Sequence, residues 1–189
     1  FVILMIDRIK IYGERNSGTR FLNSLLQKNT KNVNICDVGY KSDLGWKHGI
    51  PRISNFKKDF LDKTLFIIII RDLEPWIKSM YKVPYHYVKP TNIKDFLINK
   101  LHVKDRRLDH DVNKYPEERN KTIFELRYYK INSYLQKIKD MSNVLFINLE
   151  DTQKDMGKNL LNILQKSFNI TDILSQTRRG YFVDKLSQS

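Results

Sequence analysis

The feature that most constrains the fold is an unbroken apolar run, Leu65–Ile70, which ends in four consecutive isoleucines. A strand of a parallel sheet that is covered by helices on both faces shows such a continuous run, because no position faces water. The run is far shorter than the roughly 20 apolar residues needed to cross a bilayer. Arg71 and Asp72 follow it directly. The run therefore predicts a buried parallel strand with charged residues at its carboxyl end.

Around this run, the hydrophobic spacing predicts alternating strands and helices. Such alternation implies an α/β fold, with three layers and a mostly parallel sheet that has helices on both faces. A chain of 189 residues suits one such domain, and ligands of these sheets bind at the carboxyl ends of the strands. The expected strands are Arg8–Tyr12, Val33–Val38, Leu65–Ile70 and a second buried strand, Val144–Leu149. Five helices are expected: one that begins near Gly18, one from Pro75 to about Tyr81, and one near Ile93–Leu101. The other two follow apolar stripes. The first stripe consists of Phe124, Tyr128, Ile131, Leu135 and Ile138, and the second of Met156, Leu160, Ile163 and Leu164.

The composition indicates an anionic partner and excludes several classes of site. The 34 Lys and Arg residues against 21 Asp and Glu residues give a net charge of +13. Alanine is absent while Ile, Lys and Asn abound, which is typical of an AT-rich genome, so the arginines are more informative than the lysines. The single cysteine, Cys36, excludes an internal disulfide framework and a cysteine-rich metal site. No membrane segment is expected, and the expected location is cytoplasmic, although an anchor upstream of Phe1 is compatible with the sequence.

The segment Gly13–Arg20 lies between the first expected strand and the first expected helix. Its glycines and small residues allow backbone N–H groups to turn towards an anion, and the helix N-terminus adds partial positive charge. The Gly-x4-Gly spacing matches a Walker A loop, but Thr19 stands at the Lys position and Arg20 at the Ser/Thr position. The missing Lys and Ser/Thr therefore argue against an ATPase or GTPase, whereas an anion site remains compatible. The alternative is an ordinary strand–helix turn.

Within this loop, Ser17-Gly18-Thr19 resembles the 5′-phosphosulfate loop of the sulfotransferases. These enzymes have a P-loop NTPase-like fold and use 3′-phosphoadenosine-5′-phosphosulfate (PAPS), and the Gly-Thr-Arg ending is similar to that of heparan sulfate sulfotransferases. Many members carry Lys or Arg directly before the Ser-Gly-Thr core, where this chain has Asn16. The resemblance implies that Arg15 supplies the charge that assists departure of the phosphate. It implies cofactor contacts from Arg15, Asn16, Ser17, Gly18, Thr19 and Arg20.

A second motif joins the apolar run to the helix that follows it. Arg71 can present a two-pronged donor to a phosphate, and Ser79, eight residues later, can add a hydroxyl donor. This resembles the 3′-phosphate-binding element of the sulfotransferases, in which an aromatic residue such as Tyr81 often follows the Ser. The resemblance implies that Arg71 and Ser79 bind the cofactor. The alternative is that Arg71 pairs with Asp72 or Glu74 at the strand end.

Two later segments also resemble sulfotransferases. Arg178, Arg179 and Gly180 are similar to the Arg-Lys-Gly element that closes over the 3′-phosphate in cytosolic members, which implies cofactor binding. The alternative is a solvated pair of arginines. Val144–Asp151 resembles the late strand that ends in an acidic pair, and this pair is expected to cap the next helix.

The resemblance implies sulfuryl transfer from PAPS to an acceptor hydroxyl or amine, with PAP (adenosine 3′,5′-bisphosphate) as product. Such a displacement needs a base, cations that balance the developing charge, and exclusion of water, so no metal is expected where side chains supply the cations. Cytosolic members carry Lys-Thr-His where this chain has Lys47 and His48. His48 is the expected base, Lys47 the expected sulfuryl contact, and Glu14 a backup base. The alternative for this segment is a surface loop held by Trp46.

Residues 83–120 are predicted to be an acceptor-side insertion, which suits a carbohydrate or another small acceptor. No nucleic-acid partner is expected, because most aromatic residues fall on predicted core faces. Two other classes stay open: a P-loop nucleotide kinase or NTPase-like protein, and a non-catalytic module that binds anions or nucleic acid. The basic residues expected near the acceptor are Lys82, His86, Lys89, Lys104, Arg106 and Arg107.

Overall fold

The computed structural model describes residues 5–30, 32–36, 39, 42–85, 87–102, 120–138, 141–168 and 170. Within these ranges, parallel strands form one four-stranded sheet that is flanked by helices. The predicted α/β class is therefore confirmed. The strands are β1 (Arg8–Gly13), β2 (Asn34–Ile35), β3 (Thr64–Ile70) and β4 (Val144–Asn148). The helices are α1 (Thr19–Asn29), α2 (Lys58–Asp62), α3 (Leu73–Lys82), α4 (Ile93–Ile98), α5 (Ile123–Ile138), α6 (Leu149–Lys154) and α7 (Lys158–Phe168).

The order of the strands in the sheet is β2-β1-β3-β4. In the register of the sheet, Tyr12 of β1 lies opposite Ile68 of β3, and Ile67 of β3 lies opposite Leu145 of β4. The continuous apolar run forms β3, which has a partner on each side, so it is buried as predicted. Because all these strands run in one direction, their carboxyl ends meet at one edge of the sheet.

Alternate side chains of β1 and β3 enter two cores on opposite faces of the sheet. Helices α1 and α7 cover one face, while α5 and the segment around α2 cover the other, which gives the expected order of helix, sheet and helix. The first core includes Ile9, Ile11, Leu22, Leu25, Leu65, Ile67, Ile69, Leu160 and Leu164. The second core includes Tyr12, Leu44, Phe66, Ile68, Tyr134 and Ile138.

The apolar face predicted for α5 is wrong at most positions. Phe124, Tyr128 and Leu135 are exposed, with Tyr128 at 73%. The helix instead turns a second stripe inward, and that stripe contains Lys130, which is only 4% exposed. A pattern that counts Lys as polar misses this face, because the ammonium group finds a backbone acceptor, the carbonyl of His48, inside the fold. The buried positions of α5 are Ile123, Leu126, Lys130, Tyr134 and Ile138.

The strand β4 is also less buried than predicted. It pairs only with β3 among the described residues, so it is an edge strand there, and Phe146 is 38% exposed. The weaker strand predicted over Val33–Val38 is reduced to the two residues of β2, while residues 37 and 38 lie outside the described ranges. In α7, Leu160 is buried as predicted, whereas Ile163 is exposed.

The predicted insertion contains α4, which occupies most of Ile93–Leu101. Its Phe96 packs with Trp76 and Met80 of α3 and with Leu126 of α5 in a third core. This core attaches the insertion to the edge of the sheet where the strands end. None of the helices in the described ranges has the length and apolar character needed to cross a membrane.

Candidate functional site

A cleft of about 670 Å³ lies at the carboxyl ends of the strands, and most of the predicted site residues line it. They come from three separate segments: the loop after β1, the segment before α2, and the β3–α3 unit. The predicted residues that line the cleft are Arg15, Asn16, Gly18, Thr19, Arg20, Lys47, His48, Arg71 and Ser79.

Four of the predicted site residues are not among those that line the cleft. Ser17 is fully buried, and its hydroxyl donates to the carbonyl of Glu14 at 2.7 Å, so this side chain holds the turn rather than lining the cleft. Arg178, Arg179 and Gly180 lie outside the described residues.

The loop after β1 requires glycine at both of its ends. A Cβ at Gly13 would lie 2.6 Å from the carbonyl oxygen of Ile69 and equally close to Ser17 Oγ. Gly18 has a φ of 91°, and a Cβ there would lie 2.4 Å from a methyl carbon of Leu149. The loop is therefore pressed against β3 on one side and α6 on the other, directly before the N-terminus of α1. Such a turn presents backbone N–H groups to an anion.

Asn16 occupies the position where many sulfotransferases carry a cation, and here it is a link between elements. Its side-chain amide donates to the carbonyl of Val83 at 3.1 Å and to the sulfur of Met80 at 3.2 Å, both at the C-terminal end of α3. The neighbouring Arg15 places its guanidinium 4.7 Å from the ring centre of Trp46. The positive charge of the loop therefore comes from Arg15, which is held against an aromatic wall of the cleft.

The segment that contains Lys47 and His48 is hydrogen-bonded to the end of β1. The N–H of Gly13 donates to the carbonyl of Lys47 at 2.9 Å, and His48 Nδ1 lies 2.8 Å from the carbonyl oxygen of Gly13. A carbonyl only accepts, so Nδ1 carries the proton of the neutral ring and Nε2 is left as an acceptor. This arrangement gives the cleft a nitrogen that can take a proton.

The electrostatics of the cleft keep His48 neutral. Burial lowers the pKa of His48 well below 6.5, and the nearby Arg15, Lys47 and Lys130 lower it further, although the hydrogen bond that the ring donates to the Gly13 carbonyl raises it. Burial, followed by the charge of Arg20, also lowers the pKa of Lys47. None of the described residues that line the cleft is acidic. The cleft therefore combines an excess of positive charge with one neutral base.

Arg71 pairs with a partner that neither sequence alternative named. Its Nε donates to Glu150 Oε1 at 3.0 Å, and the N–H of Asp72 donates to Glu150 Oε2 at 3.0 Å. Its Nη1 donates to the carbonyl of Asn16 at 3.3 Å. These contacts orient the guanidinium between the loop and α6, and they leave Nη2 without a hydrogen bond to any described residue.

The capping role expected for the acidic pair after β4 is wrong for Glu150. Asn148 caps α6 instead, since its side-chain oxygen accepts from the N–H of Asp151 at 3.0 Å. Asp151 pairs with the exposed Lys154. Glu150 lies in the first turn of α6, and its carboxylate binds the tip of β3.

Several residues that line the cleft were missed by the sequence reasoning. Trp46 was expected only to hold its loop, and Gly39, Leu149 and Gln153 carried no signal. Tyr85 also lines the cleft, is 49% exposed, and has a φ of 53°. A bulky residue in this left-handed region is rare, and such strained positions cluster at functional sites.

On the other side of the loop, away from the cleft, lies a buried group of charges. Glu14 is 2% exposed, and burial raises its pKa to about 7, while the charges of Arg127 and Lys130 oppose that rise. Arg127 Nη1 lies 3.2 Å from Glu14 Oε2. Glu14, the backup base, does not line the cleft.

No protein-family model matches the chain, and no curated protein matches it. In the part of the chain that is described, there is no group of three or more His, Cys, Asp or Glu side chains that could hold a metal ion. The chemistry of the site is therefore inferred from its own residues.

Proposed function

We propose that the chain is a PAPS-dependent sulfotransferase that transfers a sulfuryl group from PAPS to a hydroxyl or amine of an acceptor, with PAP as the second product. The observation that carries the proposal is that three motifs, taken from separate segments of the sequence, line one cleft. The loop after β1, the Arg71–Ser79 pair and the Lys47–His48 pair all meet there. The parallel sheet brings the ends of β1 and β3 together, and hydrogen bonds to Gly13 bring Lys47 and His48 to the same place.

The residues of the cleft fit a donor that has two anionic ends. The loop at Arg15–Gly18 and the N-terminus of α1 would hold the 5′-phosphosulfate, because glycine at 13 and 18 allows the backbone to approach closely. Arg71 and Ser79 would hold the 3′-phosphate through charge-assisted hydrogen bonds. A volume of about 670 Å³ lies within the usual range for a small-molecule site. When bound, PAPS supplies the sulfuryl group together with a good leaving group.

The chain's own residues would supply the rest of the chemistry. His48 has an acceptor at Nε2 and would take the proton of the acceptor hydroxyl. Lys47 and Arg15 would stabilise negative charge on the transferring and leaving oxygens. The rings of Trp46 and Tyr85 would limit the access of water. No metal is needed in this scheme, because side chains provide the positive charge.

The proposal includes a P-loop NTPase-like fold and a carbohydrate acceptor. The fold is supported by the parallel sheet and by the strand–loop–helix unit from β1 to α1. The acceptor is supported by the basic residues expected near it, of which Lys82 and Lys89 are exposed. Lys104, Arg106 and Arg107 lie outside the described residues, as does His86.

The first test is binding of PAP in the absence of Mg²⁺, measured by calorimetry. Ser79→Ala is expected to weaken binding by about tenfold, because it removes a donor to a charged group. Lys78→Ala is the matched control on the same helix: its side chain is 69% exposed, and we expect affinity within about twofold of wild type. Absence of PAP binding at millimolar concentration by the folded protein would contradict the proposal, and Mg²⁺-dependent ATP turnover would favour a kinase.

The second test identifies the acceptor. Labelled PAPS is incubated with glycans, phenols and tyrosine peptides, and transfer of the label is measured. We expect transfer to glycans. Transfer to phenols or peptides alone would retain the sulfotransferase and overturn the carbohydrate acceptor.

A further inference from the structure

Arg127 on α5 contacts three parts of the candidate site without lining the cleft. Its Nη2 donates to the carbonyl of Arg71 at 2.6 Å, at the tip of β3. Its Nη1 lies 3.2 Å from Glu14 Oε2, in the loop after β1. Its guanidinium carbon lies 4.6 Å from the ring centre of Trp76 on α3. The Arg127 side chain is 13% exposed, so these contacts are largely shielded from water.

Trp76, which contacts Arg127, also contacts the loop after β1. The indole Nε1 of Trp76 donates to the carbonyl of Arg15 at 2.8 Å. On the opposite side, Nη1 of Arg71 donates to the carbonyl of Asn16 at 3.3 Å. The loop, Arg71, Arg127 and Trp76 therefore form a closed set of contacts around one guanidinium. A planar fork with five donors can serve several acceptors at fixed angles, which a lysine ammonium cannot do.

The contact between Glu14 and Arg127 is an unusual one for a purely stabilising role. Both carboxylate oxygens of Glu14 and Nη1 of Arg127 are buried and make no hydrogen bond to any described residue, although their charges lie close together. Burying charged groups without hydrogen bonds opposes folding, and well-packed apolar side chains often replace such pairs without loss. This cost is understandable if the pair has a role in the geometry of the site.

We infer that Arg127 is a positioning residue of the anion-binding cleft, which holds the Arg71 guanidinium and the loop after β1 at a fixed separation. Fixed separation matters for a ligand with two anionic ends, because both ends must be bound at once. The inference rests on the proposed function insofar as PAP is that ligand. It also assigns a role to α5, a segment whose sequence carries no binding motif.

The experiment compares PAP with adenosine 5′-phosphate and adenosine 3′-phosphate, each of which has one anionic end. We define the linkage ratio as the affinity for PAP divided by the affinity for the better of the two monophosphates. Arg127→Met is expected to lower this ratio by about tenfold, because the two half-sites lose their fixed separation. Arg127→Lys is expected to recover only part of it. A general loss of stability would lower all three affinities together and leave the ratio unchanged.

Lys137→Met is the matched control, since it removes one positive charge from an exposed position of the same helix. Its linkage ratio is expected to stay within about twofold of wild type. An unchanged ratio in folded Arg127→Met would overturn the inference. If Arg127→Met does not fold, Arg127→Lys replaces it: this variant keeps the charge and loses the planar fork, and an unchanged ratio there would likewise overturn the inference.

Failure of the proposed function gives a different result from failure of this inference. If wild type binds none of the three nucleotides, the proposed donor is wrong and the ratio is undefined. Amide hydrogen exchange at Arg15–Gly18 then decides. Exchange at least about tenfold faster in Arg127→Met or Arg127→Lys than in Lys137→Met would support positioning of the loop by Arg127, and equal rates would overturn it.

Discussion

The two sides of the loop after β1 carry charge in opposite ways. On the cleft side, Arg15, Lys47 and Arg71 face a common space, and no described lining residue is acidic. On the buried side, Glu14 lies against Arg127 and is also influenced by Lys130, so that opposite charges face each other. Glu150 balances Arg71 from outside the lining, and the remaining positive charge of the cleft side is open to an outside anion, whereas the charges of the buried side face each other.

Because of this difference, the cleft side should determine the affinity for a ligand and the buried side the stability of the fold. A positive charge that awaits a ligand contributes to binding, and its removal changes the folded chain little. A charge that is buried with its partner affects folding and the shape of the loop, because its desolvation cost is the same whether or not a ligand is bound. Substitutions on the two sides are expected to change different measurements, and the following predictions are ordered from the largest expected effect to the smallest.

The largest effect is expected from His48→Ala on the cleft side. Loss of a general base should lower kcat for sulfuryl transfer by about 10²–10⁴-fold, while the PAP affinity stays within about threefold of wild type. Steady-state kinetics and calorimetry measure the two quantities. His102→Ala is the control, since His102 lies in the insertion and does not line the cleft. Activity of His48→Ala at the wild-type level would place the base elsewhere.

The pH dependence of wild type sharpens this prediction. Because burial holds the pKa of His48 well below 6.5, the ring stays neutral as the pH falls through that value. Titration of His48 is therefore not expected to change kcat/KM between pH 8 and pH 6. A loss of activity centred at pH 6.5 that is absent from His48→Ala would contradict the environment described for this ring.

The next effect is expected from Arg71→Ala. Removal of a guanidinium that faces the cleft should weaken PAP binding by about 10–100-fold, the usual range for a hydrogen bond to a charged group. The free energy of unfolding should change much less, because the ion pair with Glu150 is partly exposed. Calorimetry and urea unfolding test both parts. Unchanged affinity would remove Arg71 from the site.

On the buried side, Glu14→Gln is expected to change stability in a pH-dependent way. Burial raises the pKa of Glu14 from its usual value of 4.5 to about 7 in the folded chain. Between these values, the folded chain keeps a proton that the unfolded chain has lost, so the wild-type free energy of unfolding falls as the pH rises. Glutamine does not ionise, so the variant should exceed wild type by up to about 3 kcal/mol at pH 8 and match it near pH 4.

Urea unfolding at the two pH values measures this difference. Asp151→Asn is the control, because Asp151 is an exposed carboxylate that pairs with Lys154. Its stability should stay close to that of wild type, because an exposed ion pair contributes little. If Glu14→Gln and wild type lost stability equally between pH 4 and pH 8, the buried environment of Glu14 would be refuted.

The smallest effect is expected from salt. Raising the ionic strength from about 50 to 500 mM should weaken PAP binding severalfold, because the cations of the cleft are open to counterions. Contacts of the buried pair should be screened much less, so exchange protection of the amides at Arg15–Gly18 should change little. Equal sensitivity of both sides would remove the distinction between them.

The sequence predicted those parts of the molecule that depend on neighbouring residues. The run that became β3, the turn between Gly13 and Gly18, and the interval from Arg71 to Ser79 are local patterns, and the structure contains the turn and β3 where they were expected. Their convergence follows from the parallel sheet, since strands that run in one direction end at one edge.

The parts that were missed depend on partners far away in the chain. Arg127 and Lys130 belong to a pattern that favours the solvent, yet they bind the carbonyls of Arg71 and His48 inside the fold. Glu150 was expected to cap a helix, and from the first turn of α6 its side chain pairs with Arg71. A local pattern weighs the polarity of a side chain, but it contains no information on whether a distant acceptor will be present to satisfy it.

Gly13 links the expected base to the anion loop. The N–H and the carbonyl of Gly13 are both engaged by the neighbouring segment, through Lys47 and His48. A single residue thus connects the imidazole to the start of the anion loop. The position of the ring is therefore tied to the start of the loop by two hydrogen bonds of one residue. Under the proposed function, the spacing between the proton acceptor and the sulfuryl group is set locally, by the contacts of that residue.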